Sequence, residues 1–171
     1  MVKMVQKRKL IVHEDAKSPI AEAYRTLRTN LQFAKVDSDL QLMMFTSPGP
    51  SEGKSTTVAN TAVAIAQTGK KVLLVDCDLR KPVQHKIFAK QNQGLTNALV
   101  EKVALNELIQ DTEIENLQLL TSGPIPPNPS ELLGSALMES TLAELRKLAE
   151  IIIIDAPPTI AVTDASVLAS K

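Results

Sequence analysis

A glycine, a lysine and a hydroxyl residue stand in succession in the order of a phosphate-binding loop. Gly53, Lys54 and Ser55 end a loop between an apolar run at 40–45 and a run at 58–66 that has the pattern of an apolar-faced helix. In such a loop backbone N–H groups wrap phosphates, the lysine reaches the terminal phosphates, and the following hydroxyl binds Mg²⁺. The stretch 46–57 therefore predicts a nucleotide site.

One position of this loop departs from the usual spacing. Pro48 stands where the first glycine is expected, and Gly49 follows it. An ordinary surface loop rich in Gly, Pro and Ser is the alternative interpretation, but the flanking strand and helix patterns favour the phosphate site. The residues expected to contact the nucleotide are Gly49, Ser51, Glu52, Gly53, Lys54, Ser55 and Thr56.

Three aspartates follow two other apolar runs. Asp155 comes after four isoleucines and has the form of a Walker B residue, which binds Mg²⁺ directly or through water, although a turn or helix cap is the alternative. Asp76 and Asp78 follow the run 72–75, so both carboxylates can enter one crevice, one near a metal and one near an attacking oxygen. We expect metal ligands among Ser55, Asp76 and Asp155, and catalytic groups among Lys54, Asp76 and Asp78.

The apolar runs also predict the fold class. Continuous apolar strands at 72–75 and 151–154 are typical of strands buried on both faces of a parallel sheet. Together with a buried strand at 40–45, a strand at 116–121 and the helices between them, they predict an α/β fold, a P-loop NTPase-like parallel sheet with helices on both faces. Ligands of such sheets bind at the carboxyl ends of the strands. We expect one domain over residues 1–171, with an arm at 1–17.

Weaker patterns predict the remaining elements. They are a short strand at 10–12, a helix over 19–34 capped by Ser18, short helices at 83–89 and 104–110, a turn at Gly94, a helix from Ser130, its capping residue, to about 150, and a helix that begins at 163. Cys77 lies between two aspartates and is expected to be a buried filler rather than a nucleophile. His85 is expected at the surface.

Composition excludes several classes of protein. The chain has 171 residues, 44% of them hydrophobic, with 19 basic and 19 acidic side chains and a pI near 6.7, so we expect no nucleic-acid partner. The basic start, Lys7 to Lys9, is expected to be a solvated arm. A single cysteine excludes an internal disulfide. No apolar run approaches the ~20 residues that span a bilayer, and we expect a cytoplasmic protein.

Three charged residues recur every third position on the predicted helix 19–34. Glu22, Arg25 and Arg28 are expected to lie away from an apolar face formed by Ile20, Tyr24, Leu27, Leu31 and Ala34. From spacing alone they form a solvated face with a weak Glu22–Arg25 pair, worth about 0.3 kcal/mol.

These motifs together resemble the bacterial tyrosine kinases of capsule and exopolysaccharide biosynthesis, specifically their cytoplasmic kinase subunit. The resemblance runs from about residue 16 to the end of the sequence. Besides the loop at 46–57 it rests on Val72 to Pro82, on Gly123 to Leu133 with its Pro-Pro-Asn-Pro string, and on Ile151 to Pro158.

The resemblance implies roles for residues of this sequence. It implies that Lys54 stabilises the transferring phosphate of ATP, that Ser55 and Asp155 serve Mg²⁺, and that Asp76 activates the tyrosine hydroxyl with support from Asp78. Glu22, Arg25 and Arg28 match the family's E-x-x-R-x-x-R pattern, which implies a homo-oligomeric ring through the helix 19–34. It also implies a membrane-anchored polysaccharide co-polymerase as activator, and membrane association only through that partner.

Two departures from the family's pattern stand out. Relatives carry a tyrosine cluster in a C-terminal tail that neighbouring subunits phosphorylate in trans, whereas Tyr24 is the one tyrosine here and is expected to pack in the core. Relatives also continue beyond the Walker B segment with further strands. We therefore expect the sequence to be partial and its sheet to end at an exposed edge.

Two other functions remain open at this point. One is an ATPase switch of the chromosome-partition or division-site type, although such proteins usually carry a second lysine near the start of the loop, where Pro48 to Ser51 has none. The other is an assembly module that binds nucleotide without transferring phosphate.

Overall fold

One sheet of five strands lies at the centre of the molecule in a computed structural model of the chain, which describes residues 10–34, 40–159 and 163–171. The order across the sheet is β1-β5-β2-β4-β3, and neighbouring strands are parallel except for the pair β3 and β4. The strands are β1 (Leu42–Phe45), β2 (Val72–Asp76), β3 (Gln110–Asp111), β4 (Leu117–Leu120) and β5 (Ile151–Asp155). The expected solvated arm at Lys7 to Lys9 lies outside the described residues.

Helices connect the strands. They are α1 (Ile11–Glu14), α2 (Pro19–Phe33), α3 (Lys54–Ala66), α4 (Gln84–Ile87), α5 (Leu105–Leu108), α6 (Pro129–Gly134), α7 (Ala136–Leu145) and α8 (Asp164–Ala169), with a π-helical turn at Asn97–Glu101. The strands predicted at 40–45, 72–75, 116–121 and 151–154 are thus all present, with ends that differ by at most two residues. The two-residue strand β3 was not predicted.

The central strands β2 and β5 separate two apolar layers. Val72 and Leu74 of β2 pack with residues of α1, α2 and α3, whereas Leu73 and Val75 pack with residues of α6, α7 and α8. All five residues of each strand are buried. Alternate side chains of a strand point to opposite faces, so a continuous apolar run requires cover on both sides. The predicted α/β fold with helices on both faces is confirmed.

Strand β1 is less buried than a fully apolar run suggests. It lies at one edge of the sheet beside β5, and only Met43 is buried while Leu42, Met44 and Phe45 are half-buried. The prediction of a buried strand was wrong in this respect, because an apolar sequence shows that a strand faces a core but not whether it has a neighbour on each side.

Residues 10–12 do not form the predicted strand. They enter the short helix α1, with Leu10 and Val12 buried against α3. The N–H of Val12 donates to Oδ1 of Asn60 on α3 at 3.1 Å. This contact with a residue 48 positions away in sequence stabilises the helical conformation of residues 11–14. The β-propensity of the apolar run is too weak to outweigh it.

The long helix predicted from Ser130 to about 150 is two helices. α6 begins at Pro129, and the chain is extended at Ser135, whose hydroxyl caps α7 by accepting from the N–H of Met138. A Cβ on Gly134 would lie 3.0 Å from Val167 of α8. The close approach of α8 and the capping serine together explain the break.

The apolar face of α2 is shifted from the predicted one. Ser18 caps the helix as expected, and Tyr24 and Leu31 pack against the core. Ile20, however, is 58% exposed, and Ala21 takes the buried position. Arg28 turns inward and donates from Nη1 to the carbonyl of Ala64 on α3 at 3.0 Å, so the expectation that it would not face the core was wrong.

The segment between β2 and β4 is held against the carboxyl end of β4. The helices predicted at 83–89 and 104–110 are present as α4 and α5, and both are shorter than predicted. The π-helical turn was not predicted. The predicted turn at Gly94 is present, and a Cβ there would lie 1.8 Å from the carbonyl oxygen of Thr121. Only glycine permits this approach, which brings residues 94–97 beside Thr121 and Ser122.

Candidate functional site

A cleft of about 430 Å³ opens at the carboxyl ends of β1, β5 and β2, above the start of α3. Asp78 lines it together with all the loop residues predicted to contact nucleotide. The full lining is Ser47, Gly49, Pro50, Ser51, Glu52, Gly53, Lys54, Ser55, Thr56, Asp78, Arg80, Lys81, Val83, Pro157 and Pro158. The sequence motifs at 46–57 and 76–82 thus meet in one cavity.

The loop 46–53 is shaped by two left-handed residues and by contacts to the segment after β5. Gly53 has φ +82° and Ser51 has φ +64°, so both lie in the left-handed region, which glycine adopts at little cost. In such a loop, successive N–H groups can turn toward one centre. Thr46 donates from its hydroxyl to the carbonyl of Pro157 at 2.7 Å, and the N–H of Thr159 donates to the carbonyl of Ser47 at 2.9 Å. These two hydrogen bonds hold the start of the loop against the segment after β5, although Pro48 replaces the usual glycine.

The ammonium group of Lys54 lies among three acceptor oxygens. Its Nζ donates to Oδ1 of Asp155, lies 3.3 Å from Oγ of Ser55, and lies 3.7 Å from Oδ2 of Asp78. Exposure is 8% for the side chains of Lys54 and Asp78 and zero for Asp155. Charges this deep persist only when they are paired. The site thus holds a cation, supplied by the protein itself, between Asp155, Asp78 and Ser55.

Asp76 is fully buried and does not line the cleft. Its Oδ1 accepts from the N–H of Asp78 at 3.1 Å, and its Oδ2 accepts from the N–H groups of Val83 and Gln84 at 3.1 and 3.0 Å. Burial, reinforced by the charge of Asp155, raises the pKa of Asp76 to about 8. By accepting these three N–H groups, the Asp76 carboxyl fixes the backbone between residues 78 and 84.

Cys77 lies between these aspartates and is buried, as expected of a filler. Burial, followed by the charges of Asp76 and Asp155, raises the pKa of its thiol well above the ordinary value. The thiol therefore stays protonated and is a poor nucleophile.

Gln84 was not identified from the sequence, yet it contacts three parts of the site. It is fully buried at the start of α4, and its Nε2 donates to Oδ2 of Asp155 at 2.7 Å and to the carbonyl of Ser55 at 3.0 Å. Its backbone N–H donates to Asp76. The sequence offers only one signal, a polar residue in the short helical pattern that follows the acidic motif. His85 beside it is half-buried rather than fully at the surface, and burial lowers the pKa of its imidazole.

Arg80 connects the cleft to α6 and α8. Its guanidinium donates to both carboxylate oxygens of Asp164, at 2.8 and 3.1 Å, and to Oγ of Ser130 at 3.4 Å, while Ser130 donates to Asp164. Burial opposes the ionisation of Asp164, but the hydrogen bonds from Arg80 and Ser130 outweigh it and hold its pKa below the ordinary value. Ser130, expected to cap a helix, instead links α6 to the first turn of α8.

The charges of α2 lie apart from the cleft. Glu22 and Arg25 form an ion pair at 2.9 Å, and Arg25 also donates to the carbonyl of Ala16. Arg28 binds Ala64, ten residues along α3 from Lys54 and therefore about 15 Å from the loop. Arg28 thus contacts the end of α3 that lies away from the phosphate loop.

The oxygen donors around Lys54 fit Mg²⁺ better than a transition metal. Mg²⁺ is bound by one or two carboxylates, waters and phosphate oxygens rather than by a cage of protein ligands. Within 10–34, 40–159 and 163–171, no cluster of three or more His, Cys, Asp or Glu side chains is arranged to hold a metal by itself. Ser55 and Asp155 supply oxygens at a point that already holds a positive charge, and they suit a metal that arrives with a nucleotide.

Comparison with known proteins assigns this geometry to a family. Residues 49–171 match a family model described as an AAA domain. The tyrosine-protein kinase YwqD of Bacillus subtilis (strain 168) is 48% identical over 162 residues, covering 94% of this chain and 68% of the relative. The putative tyrosine-protein kinase CapB of Staphylococcus aureus is 43% identical over 161 residues, covering 94% and 71%.

The chain belongs to the bacterial tyrosine-protein kinase family. It is accordingly a phosphotransferase with the fold of the nucleotide-binding P-loop proteins, and the resemblance stated from its motifs is confirmed. The kinase domain of the Escherichia coli tyrosine kinase ETK superposes with a TM-score of 0.90 at 35% identity, covering 95% of this chain and 64% of that one.

The division-site ATPases share the fold of this kinase at greater distance. The septum site-determining protein MinD of Pyrococcus horikoshii, in complex with Mg-ADP, superposes with a TM-score of 0.63 at 25% identity, covering 77% of this chain and 54% of MinD. No helix in the described part of the kinase has the length and apolar character needed to span a bilayer.

The raised pKa of Asp76 predicts how stability depends on pH. The folded state holds a proton up to about pH 8, whereas an unfolded aspartate loses it above its ordinary value of 3.8. Between these values this group makes the folded state less stable as pH rises. We expect Asp76→Asn to remove that contribution, so that the variant gains stability relative to the parent from pH 4 to pH 8, as measured by urea unfolding across this range.

Asp76→Ala provides the comparison, because it also removes the acceptor for three N–H groups and should be less stable than Asp76→Asn at every pH. A difference in unfolding free energy between parent and Asp76→Asn that stays constant with pH would contradict the assignment.

Proposed function

We propose that this kinase transfers the γ-phosphoryl group of ATP, with Mg²⁺, to tyrosine hydroxyls of proteins that take part in capsule or exopolysaccharide biosynthesis. The observation that carries the proposal is the Lys54 ammonium held by Asp155, Ser55 and Asp78 at the base of a phosphate loop. The names of the two relatives suggest the acceptor, because one is named a tyrosine-protein kinase and the other a putative tyrosine-protein kinase.

The proposed binding step is an exchange of partners by Lys54. When ATP enters, the backbone N–H groups of the loop bind its phosphates, and Lys54 turns from Asp155 toward the terminal phosphates. The oxygens of Asp155 and Ser55 are then free to hold Mg²⁺. When bound, Mg²⁺ neutralises charge on the phosphates as the phosphoryl group is transferred. The residues assigned to the nucleotide are Gly49, Ser51, Glu52, Gly53, Lys54, Ser55 and Thr56.

Asp78 is the carboxylate that we assign to the acceptor hydroxyl. A free tyrosine has a pKa near 10, so a group in the cleft must accept its proton. Asp78 lines the cleft, and its Oδ1 is fixed by the N–H of Lys81 at 3.0 Å. Asp76, to which the resemblance gives this role, is buried beneath Asp78 and accepts its N–H. We therefore assign Asp76 to the support of Asp78.

The acceptor tyrosine is proposed to lie on another protein molecule. Tyr24 is half-buried on α2 and packs against the core around α3, and the residues that line the cleft do not include it. The resemblance implies phosphorylation in trans within a homo-oligomer, but Tyr24 is the one tyrosine among residues 1–171, so the acceptor that we propose is a tyrosine of a separate protein substrate. We further propose that residues 1–171 act as one domain, and that the kinase reaches the membrane only through a membrane-anchored polysaccharide co-polymerase that activates it.

One assay tests this proposal against its competitors. The protein is incubated with ATP labelled at the γ-phosphate, Mg²⁺, a tyrosine-bearing peptide and the cytoplasmic segment of a candidate activator. Label on tyrosine supports the kinase. Release of phosphate without peptide labelling would indicate an ATPase switch, and nucleotide binding without either product would indicate an assembly module.

We expect Lys54→Met to reduce tyrosine labelling by at least about 100-fold, because it removes the charge that stabilises the transferring group. Lys71→Met is the matched control, since Lys71 is an exposed lysine that precedes β2, at the end of the strand opposite to the cleft. Circular dichroism should show that both variants keep the fold. Undiminished labelling by Lys54→Met would overturn the assigned site, and undiminished labelling by Asp78→Asn would overturn the role of Asp78.

We propose that the exposed side of α2 carries the oligomer interface. Glu22 and Phe33 lie three helical turns apart on the same side of the helix, and the Phe33 side chain is 78% exposed. Glu22→Lys combined with Phe33→Asp should shift any ring to monomers in light scattering without lowering the unfolding temperature. Arg28→Ala should instead lower that temperature, because Arg28 binds Ala64. An unchanged mass in the double variant would count against this face.

A further inference from the structure

Gln84 occupies the point where three parts of the site converge. Its Nε2 uses one hydrogen for Asp155 Oδ2, at 2.7 Å, and the other for the carbonyl of Ser55, at 3.0 Å. Its backbone N–H binds Asp76. A single buried side chain thus connects the end of β5, the first turn of α3 and the carboxyl group at the end of β2.

The remaining polar atom of this amide has no partner. Oε1 of Gln84 is buried and accepts no hydrogen bond from any residue that the structure describes. Leaving a buried acceptor unpaired destabilises the folded state, and a methionine or leucine of similar size would avoid this penalty. Both hydrogens of Nε2 are in use on acceptors, so the amide orientation is fixed by its partners.

A neutral amide acts on Asp155 differently from the lysine on its other oxygen. Lys54 at Oδ1 neutralises the carboxylate, whereas Gln84 at Oδ2 orients it and leaves its charge intact. When Lys54 leaves for a phosphate, Gln84 is the remaining side chain seen to hold Asp155. The carboxylate then keeps its position and its full negative charge for a cation.

We infer that Gln84 is a positioning residue for Mg²⁺, acting through Asp155 and the Ser55 carbonyl. Its spare acceptor, Oε1, is suited to a donor that enters with the ligands, such as a water of the metal's hydration shell. The inference rests on the proposed function, because it takes Asp155 and Ser55 as the residues that hold Mg²⁺.

The test measures binding rather than transfer. A fluorescent ADP analogue is titrated into the full chain in EDTA, and then at fixed nucleotide with increasing Mg²⁺. For Gln84→Met we expect the half-saturating Mg²⁺ concentration to rise about 10-fold or more, as is typical when a hydrogen-bond partner of a metal ligand is lost. Affinity for the analogue in EDTA should remain that of the parent.

A role confined to folding would give another result. It would lower the unfolding temperature and weaken nucleotide binding equally with and without Mg²⁺. Gln118→Met is the matched control, because Gln118 donates to the carboxylate of Asp111 at 2.8 Å on the exposed part of β4, outside the cleft. Its Mg²⁺ dependence should equal that of the parent.

Gln84→Asn provides a second variant, since it keeps the amide but is one carbon too short to reach both acceptors. A rise in half-saturating Mg²⁺ in either folded variant supports the inference. Values equal to the parent's in every variant that folds overturn it, and so does failure of both variants to fold, which would make Gln84 a structural residue.

Asp155→Asn separates this inference from the proposed function. If the parent itself shows no effect of Mg²⁺ on nucleotide binding, or if Asp155→Asn leaves that effect intact, the proposed metal ligands are wrong. If Asp155→Asn abolishes the Mg²⁺ dependence of nucleotide binding while Gln84→Met leaves it equal to the parent's, Asp155 is supported as a metal ligand. The proposed role of Gln84 is then wrong.

Discussion

The ion pair between Lys54 and Asp155 is the contact on which the rest of the site depends. Asp155 is fully buried at the end of a strand of isoleucines, where an uncompensated charge would be very costly. The sheet that makes this environment apolar is also what makes the pair strong. Around it, Ser55 and Asp78 provide oxygens to the ammonium, and Gln84 provides a donor to the carboxylate. The members of this arrangement come from the end of β5, the segment after β2 and the starts of α3 and α4.

This arrangement explains how one site can be stable empty and still bind a highly charged substrate. With Lys54 bound to Asp155 the buried charges are compensated within the protein. A nucleotide that attracts Lys54 leaves Asp155 without its cation, and a divalent metal restores the balance. Binding of nucleotide and metal should therefore be thermodynamically coupled, because the metal restores the charge balance at Asp155 that the movement of Lys54 disturbs.

Much of the fold and part of the site could be predicted from the sequence. Strands β2 and β5 were predictable because strands buried on both faces are apolar at every position, and the phosphate loop because its chemistry constrains consecutive residues. The errors have a common physical origin in contacts between distant residues. Val12 becomes helical through Asn60, and the helix after Pro129 breaks where α8 approaches Gly134. Gln84 escaped notice because its partner Asp155 is 71 residues away. The half-buried state of β1 depends on its place at the edge, which no local pattern records.

The position of Lys54 in the nucleotide-bound kinase is the most direct test of the proposed exchange of partners. A crystal structure of the kinase with Mg²⁺ and ADP would locate its Nζ after the proposed exchange. We predict that Nζ contacts a phosphate oxygen and no longer contacts Asp155, while Gln84 still donates to Asp155. A structure with nucleotide and metal bound in which Lys54 keeps its contact with Asp155 would contradict it.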